Sequence, residues 1–548
     1  MAPPTFMGLT GRPLSLMVST VATTGFVLFG YDQGVMSGII TAPAFNDLFT
    51  ATKGNSTMQG FVTAIYEIGC LFGAIFILSC GDFLGRRRAM MMGGSIMILG
   101  VIIQVTSERN STPLAQFIIG RTITGVGNGI NTSTIPTYQA ECSRTSNRGL
   151  LICIEGGVIA FGTLVAYWID YGASYGSPDL SWRFPIAFQI VFALILVLGM
   201  IWLPESPRWL LTRERYEEGE TVIAALRGLE RDDKETQLQK QIIMDSINAS
   251  GYAGRKGTPF KAVFTGGKTQ HFRRMMLGVS SQFMQQVGGC NAVIYYFPIL
   301  FEQSIHQSHN ISLLLGGVNM IVYAIFATVS WFIIERVGRR KLFLWGTVGQ
   351  CLSMVIVFSC LIPGTTTAAK GAAVGLFTYI ASFGASWLPL PWASISSASR
   401  DEHLKLIVQP SSTQRKSTPS KPVKKPTHSP PAPTGSSISV LIVMITPIMI
   451  TNIHWGTYLF FAIVNACFLP LIYFTYPETA RRSLEEIDII FAKGYCENIG
   501  YVKAARELEF LSDEGIDRKA REYGLVEEVR AEKEAERLGV VMEVEKGE

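Results

Sequence analysis

Asp82-Phe83-Leu84-Gly85-Arg86-Arg87 and Glu335-Arg336-Val337-Gly338-Arg339-Arg340 repeat one phrase: an acid, two residues, then Gly-Arg-Arg. Each copy follows an apolar run long enough to cross a bilayer, which takes about 20 residues. Such runs lie near 16–40, 58–80, 89–107, 114–137, 149–169 and 185–203, and again near 275–302, 311–333, 342–362, 372–396, 437–454 and 456–476. The phrase therefore falls after the second run of each group of six. Two basic stop signals would account for the arginines but not for the matched acid and glycine, whereas duplicated halves account for all of them. The pattern predicts an all-α membrane protein: twelve transmembrane helices in two six-helix halves joined by a cytoplasmic helical linker. The divisions are a tail at 1–15, a first half at 16–203, a linker at 204–273, a second half at 274–476 and a tail at 477–548.

Composition agrees. Of 548 residues, 48% are apolar and 16% charged, the latter well under the roughly 25% of soluble domains. An ordinary soluble enzyme is excluded. The net charge of +5, from 47 basic and 42 acidic residues, is too balanced for nucleic-acid binding. Nine cysteines show neither zinc-ligand nor disulfide spacing. Gly267-Lys268-Thr269 lacks the leading glycine of a phosphate loop, since position 262 is alanine. Gly125-x-Gly127-x-Gly129 lies inside a span with no strand before it, so it reads as close helix packing. With no nucleophile, metal cluster or cofactor motif in sight, the chain reads as neither an enzyme nor a cofactor protein.

Basic residues at Arg86–Arg88, Arg144, Arg148, Arg336 and Arg339–Lys341 place those connections and both termini in the cytoplasm. The glycosylation triplets at Asn55, Asn110 and Asn310 fall in connections assigned to the outside. Those at Asn131 and Asn248 fall in a span and in the linker. The first run is too long for a signal peptide and lacks a small-residue cleavage site.

Charges inside spans are costly and mark functional candidates: Asp32, Glu67, Arg121 and Glu155. Hydroxylated solutes both donate and accept hydrogen bonds, so uncharged amides suit them. Span seven supplies Gln282, Gln285, Gln286 and Asn291, and several unpaired amides in lipid would be expensive without a polar partner. Asp82, Arg86, Arg87, Glu141, Glu205, Arg208, Glu335, Arg339 and Arg340 are expected to latch the two halves together at the cytoplasmic face in the outward-facing state.

The chain resembles the sugar porter family of the major facilitator superfamily over nearly its whole length. The marks, in order, are Gly30-Tyr31-Asp32 with Gly34, the paired Gly-Arg-Arg loops, Gly120-Arg121 with Pro136-x-Tyr138-x-x-Glu141, Pro204-Glu205-Ser206-Pro207-Arg208, Gln285-Gln286-x-x-Gly289-x-Asn291 with Tyr295-Tyr296, and Pro477-Glu478-Thr479. Tyr31 to Gly38 and Glu155-Gly156-Gly157 with Tyr167 to Asp170 look like the fungal branch that includes glycerol/proton symporters. The resemblance implies alternating-access transport of a sugar or polyol with protons at the plasma membrane, by a monomeric functional unit. It implies Asp32 and Arg121 as the proton-coupling pair, and adds Asn319 and Trp392 to the substrate contacts. A static Asp32–Arg121 pair, a passive facilitator, a carrier of quinate, inositol or a secondary metabolite, and a nutrient sensor with a transporter fold remain open. Where hexose carriers place glutamines in span five, this chain has Glu155 and Gly156, which speaks against a glucose assignment.

Residues 399–437 depart from the family: they are rich in Pro, Ser and Lys and read as a disordered insert. The resemblance implies an Asn-Trp pair at the start of span eleven, and it is missing. Reading codons for Gln409 to Ile438 from the third base of each permits a string ending Cys-Ser-Asn-Trp-Leu-Phe-Asn-Phe, which resembles the missing segment. The insert therefore reads as a splice or frame error in the inferred gene model rather than in the gene, with a basic cytoplasmic regulatory loop as the alternative.

Overall fold

The computed structural model describes residues 4–108, 112–143, 148–255, 270–299, 301–302, 308–391, 434–480, 482, 484–511 and 513–525. The first half comprises α1 (Gly11–Ile39), α2 (Ser56–Leu84), α3 (Arg86–Val105), α4 (Pro113–Cys142), α5 (Arg148–Ala173) and α6 (Leu180–Trp202). The linker folds as α7 (Pro207–Thr212), α8 (Tyr216–Arg227) and α9 (Lys234–Arg255). In the second half follow α10 (His271–Val287), α11 (Cys290–Ile299), α12 (His309–Val337), α13 (Arg339–Leu361), α14 (Thr366–Ser382, continuing through a π-turn to Trp387), α15 (Thr434–Ile453) and α16 (Gly456–Thr475). The tail adds α17 (Leu484–Cys496), α18 (Tyr501–Glu507) and α19 (Asp513–Glu522).

Seven of these helices, α1, α2, α3, α6, α12, α13 and α16, are both long and apolar enough to cross a membrane. Phe83, Trp345 and Phe474 are among the large apolar side chains they leave exposed, as lipid contact requires. The other spans carry polar groups or breaks: Arg121 and Asn128 in α4, Glu155 and Asp170 in α5, and a break between α10 and α11. That break corrects the single helix expected over 275–302. Gly289 has φ +100°, a conformation open to glycine, and a Cβ there would lie 2.9 Å from the Phe461 ring. In the glycine triplet of α4, Cβ atoms at 125, 127 and 129 would meet the carbonyls of Tyr66, Gly93 and Cys70 within 2.5 Å. Helix packing, as read from the sequence, explains that triplet.

The repeated phrase forms the same knot twice. Gly85 (φ +84°) and Gly338 (φ +95°) turn the chain so that the next helix opens with bare N–H groups, which a carboxylate satisfies. Glu205 accepts from the Arg86 and Arg87 amides at 3.0 and 3.1 Å. Glu478 accepts from those of Arg339 and Arg340 at 3.0 and 3.2 Å. Arg87 then reaches the Ile201 carbonyl at 2.5 Å and Arg340 the Tyr473 carbonyl at 2.7 Å. Burial pushes Glu205 above the ordinary carboxylate range, while the Ser206, Arg87 and Arg86 amides and the Arg86 charge pull it back. A side chain at either glycine would put its Cβ 2.7 Å from the carboxylate. Gly85→Ala or Gly338→Ala should therefore lose about 1–3 kcal/mol for the strained backbone alone, seen as a lower thermal midpoint of the purified protein in detergent.

These contacts also revise the expected latch. Arg86 pairs with Glu141 at 3.1 Å, and Ser206 donates to Glu141 at 2.5 Å, all inside the first half. Each knot closes its own half rather than bridging two. Arg208 is half-buried at the start of α7, and the side chains of Asp82 and Glu335 lie outside the described residues.

The linker docks on the first half, with Leu14 and Val18 packing with Val222, Ala225 and Leu226. Against the base of α10, the tail is fixed by Arg274–Asp488 at 2.5 Å. At the seam, Ile40, Ala64, Ala160 and Tyr167 of the first half join the apolar cluster built around α11 of the second. Toward the Gly-Arg-Arg face, Gly157 packs on the Trp331 indole and Gly156 on Pro389.

Candidate functional site

Asp32 and Arg121 meet inside the first half. Arg121 Nη1 donates to Asp32 Oδ1 at 2.7 Å, and both side chains are 0% exposed. Taking two charges out of water costs several kcal/mol per ion, and this pairing repays only part of it. Asp32 Oδ2 and Arg121 Nε and Nη2 find no hydrogen-bond partner among the described residues. The Tyr66 ring lies 4.8 Å from the Arg121 guanidinium, a cation–π contact that desolvation strengthens. The Asn128 amide in turn bonds the Tyr66 hydroxyl. The pair thus sits in a polar pocket between α1, α2 and α4.

In the second half the amides gather around the break. Gln285 Nε2 donates to the Trp387 carbonyl at 2.7 Å. Asn291 Nδ2 donates to Gln286 Oε1 at 2.7 Å and to Ser439 Oγ at 3.3 Å, and Ser439 donates to the same Gln286 oxygen at 2.8 Å. Tyr379 and Asn465 both bond the Gly288 carbonyl at 2.9 Å, taking up the acceptor that the helix break frees. Gln282 is buried and makes no hydrogen bond among the described residues. Asn319, 0% exposed on α12, has neither amide atom partnered among the described residues and is not bonded to the cluster. Trp392 lies outside the described residues.

The two remaining acids differ. Glu67 accepts from the Tyr295 hydroxyl at 3.1 Å across the seam. Glu155 is buried without a partner among the described residues, on the stretch of α5 that meets Trp331 and Pro389. A further carboxyl, Asp170, escaped the sequence reading because span five was ended at 169, whereas α5 runs to Ala173. Asp170 is buried with both oxygens unpartnered among the described residues, and a Cβ at Gly38 would lie 2.6 Å from its Oδ2. Tyr66 and Asn128 were missed as well, because a tyrosine and an asparagine in a span carry no charge to flag them. Among the described residues, no group of three or more His, Cys, Asp or Glu is placed to hold a metal ion.

Chemically, this is one buried ion pair with spare hydrogen-bonding atoms in the first half, and a fixed group of amides in the second. Known proteins resemble the chain over most of its length. The profile of the "Sugar (and other) transporter" family matches residues 17–414 and 432–491. The sugar transporter STL1 of Saccharomyces cerevisiae is 42% identical over 524 residues, covering 94% of this chain and 88% of its own. The major facilitator superfamily transporter mfsA of Aspergillus fumigatus is 41% identical, covering 95% and 94% respectively. A partially occluded, inward-open structure of the xylose transporter XylE from E. coli superimposes with a TM-score of 0.70 at 22% identity, covering 86% of this chain and 100% of its own. This chain belongs to the sugar (and other) transporter family, and is a multi-pass membrane transporter of the major facilitator superfamily.

Proposed function

We propose that the protein carries a sugar or polyol across the plasma membrane together with a proton, as a monomeric unit with both termini in the cytoplasm. The observation that carries this reading is the fully buried Asp32–Arg121 pair with its unpartnered Oδ2, Nε and Nη2 atoms. Beside Arg121 an aspartate stays ionised; moved away from it in a dry site, it takes up a proton. Gln282, Gln285, Gln286, Asn291 and Asn319 are the proposed solute contacts, with Trp392 as their aromatic neighbour. Uptake by a transporter-deficient cell that expresses the chain with residues 409–438 restored to the other reading frame, across a panel of sugars and polyols at two pH values, tests the proposal. The expected result is uptake of at least one of them, faster at the lower external pH. Growth signalling without uptake would favour a sensor instead.

The proposed orientation has its own check. Asn55 and Asn310 are exposed, and Asn110 lies outside the described residues. Asn55→Gln and Asn310→Gln should each remove one glycan and speed migration on a gel. Glycan on neither site would argue against placing those connections outside.

A further inference from the structure

Glu67 and Tyr295 belong to different halves, yet share a hydrogen bond of 3.1 Å in a site where neither is more than 4% exposed. A carboxylate buried away from water needs such a donor, and bonds to a charged acceptor are about twice as strong as neutral ones. The contact is therefore more than packing. Tyr295 follows Asn291 by four residues on α11, so the two side chains share one face of that ten-residue helix. α11 is set off from α10 by Gly288-Gly289 and is bent at Tyr296, where φ is −119° and ψ 17°. The first half also holds α11 through Tyr167, whose hydroxyl donates to the Ile294 carbonyl at 2.5 Å. On the other side, Glu67 adjoins Tyr66, the residue stacked on Arg121.

We propose that the Glu67–Tyr295 hydrogen bond is the latch that closes the two halves on the side opposite the Gly-Arg-Arg loops, with Glu67 a positioning residue for transport. The short helix that bears the proposed solute contact Asn291 is thereby the one that makes or releases the latch. This deepens the carrier reading above and rests on it for the identity of the moving parts.

A cysteine placed at Ala64, which lies in the seam, reports opening through its labelling by a membrane-impermeant thiol reagent. Rates are measured on the full chain in cells, normalised to the copies at the surface and to the chain without A64C. Glu67→Ala and Tyr295→Phe should each raise the labelling rate about tenfold, the effect of losing one hydrogen bond to a charged group. Glu67→Gln keeps a neutral acceptor oxygen and should fall between the parent and Glu67→Ala. In the chain with the other reading frame restored at 409–438, both opened variants should lower the maximal rate of uptake more than they change the half-saturating concentration. Labelling of Tyr295→Phe at the parent's rate would overturn the latch, and because that change removes a single oxygen it decides the matter even if Glu67→Ala fails to reach the surface. Failure of the carrier reading shows separately: the parent then takes up none of the sugars or polyols while the labelling differences between variants persist.

Discussion

Asp32→Asn should abolish accumulation of solute against its gradient while leaving exchange of solute across the membrane. Asparagine matches aspartate in shape and still accepts from Arg121 Nη1 through its amide oxygen, so the 2.7 Å contact has a neutral replacement. It cannot carry a proton. The solute then moves only down its own gradient, and inside and outside concentrations become equal at every external pH. The substitution also leaves Arg121 as an uncompensated buried charge, and breaking such pairs typically costs about 3–5 kcal/mol. Stability of the purified variant should fall accordingly, so transport must be normalised to folded protein. The measurement is uptake into proteoliposomes with an imposed proton gradient, beside counterflow with none. Accumulation that survives in the variant would remove Asp32 from the coupling step and leave the pair as packing.

The second large effect concerns residues 399–437. Transcripts sequenced across these codons should read in the other frame and encode the Asn-Trp pair, and a chain carrying the restored segment should transport where the present one stays near background. The reason is local. α15 begins at Thr434, and already at Ser439 it touches both Gln286 and Asn291. Whatever precedes Ser439 therefore sets the first turns of a helix that forms one wall of the amide group. The family profile also stops at 414 and resumes at 432. Transcripts that keep the present frame, in a chain that transports normally, would show the insert to be native and the Asn-Trp pair dispensable.

Much of this was legible in the sequence for a simple reason: lipid punishes polar groups, so each one that remains inside a span stands out. Asp32 and Arg121 stood out as charges, the resemblance joined them, and in the structure they form one pair. The Gly-Arg-Arg phrase likewise announced the duplication. What it concealed was its partner, because the contact of Gly85 with Glu205, or of Gly338 with Glu478, is made by backbone amides and not by the arginine side chains that catch the eye. The latch expected between halves became a knot within each. Asp170 was lost to a boundary set one residue short. The break at Gly288-Gly289 was hidden because no charged residue falls between Arg274 and Glu302, so α10 and α11 read as one run that only a backbone angle separates.

Those twin knots have a mechanical meaning. Each ties the start of a half's third helix to the end of its sixth, with the second helix's last turn held between them. Three helices so stapled at one face cannot shear past one another there, so that side of each half should tilt as a single plank. Two planks hinged along a shared seam behave like a seesaw: spreading them on one side of the membrane forces them together on the other. The glycines that seem to serve a turn thus guard against the failure that would ruin a carrier, a state open at both ends.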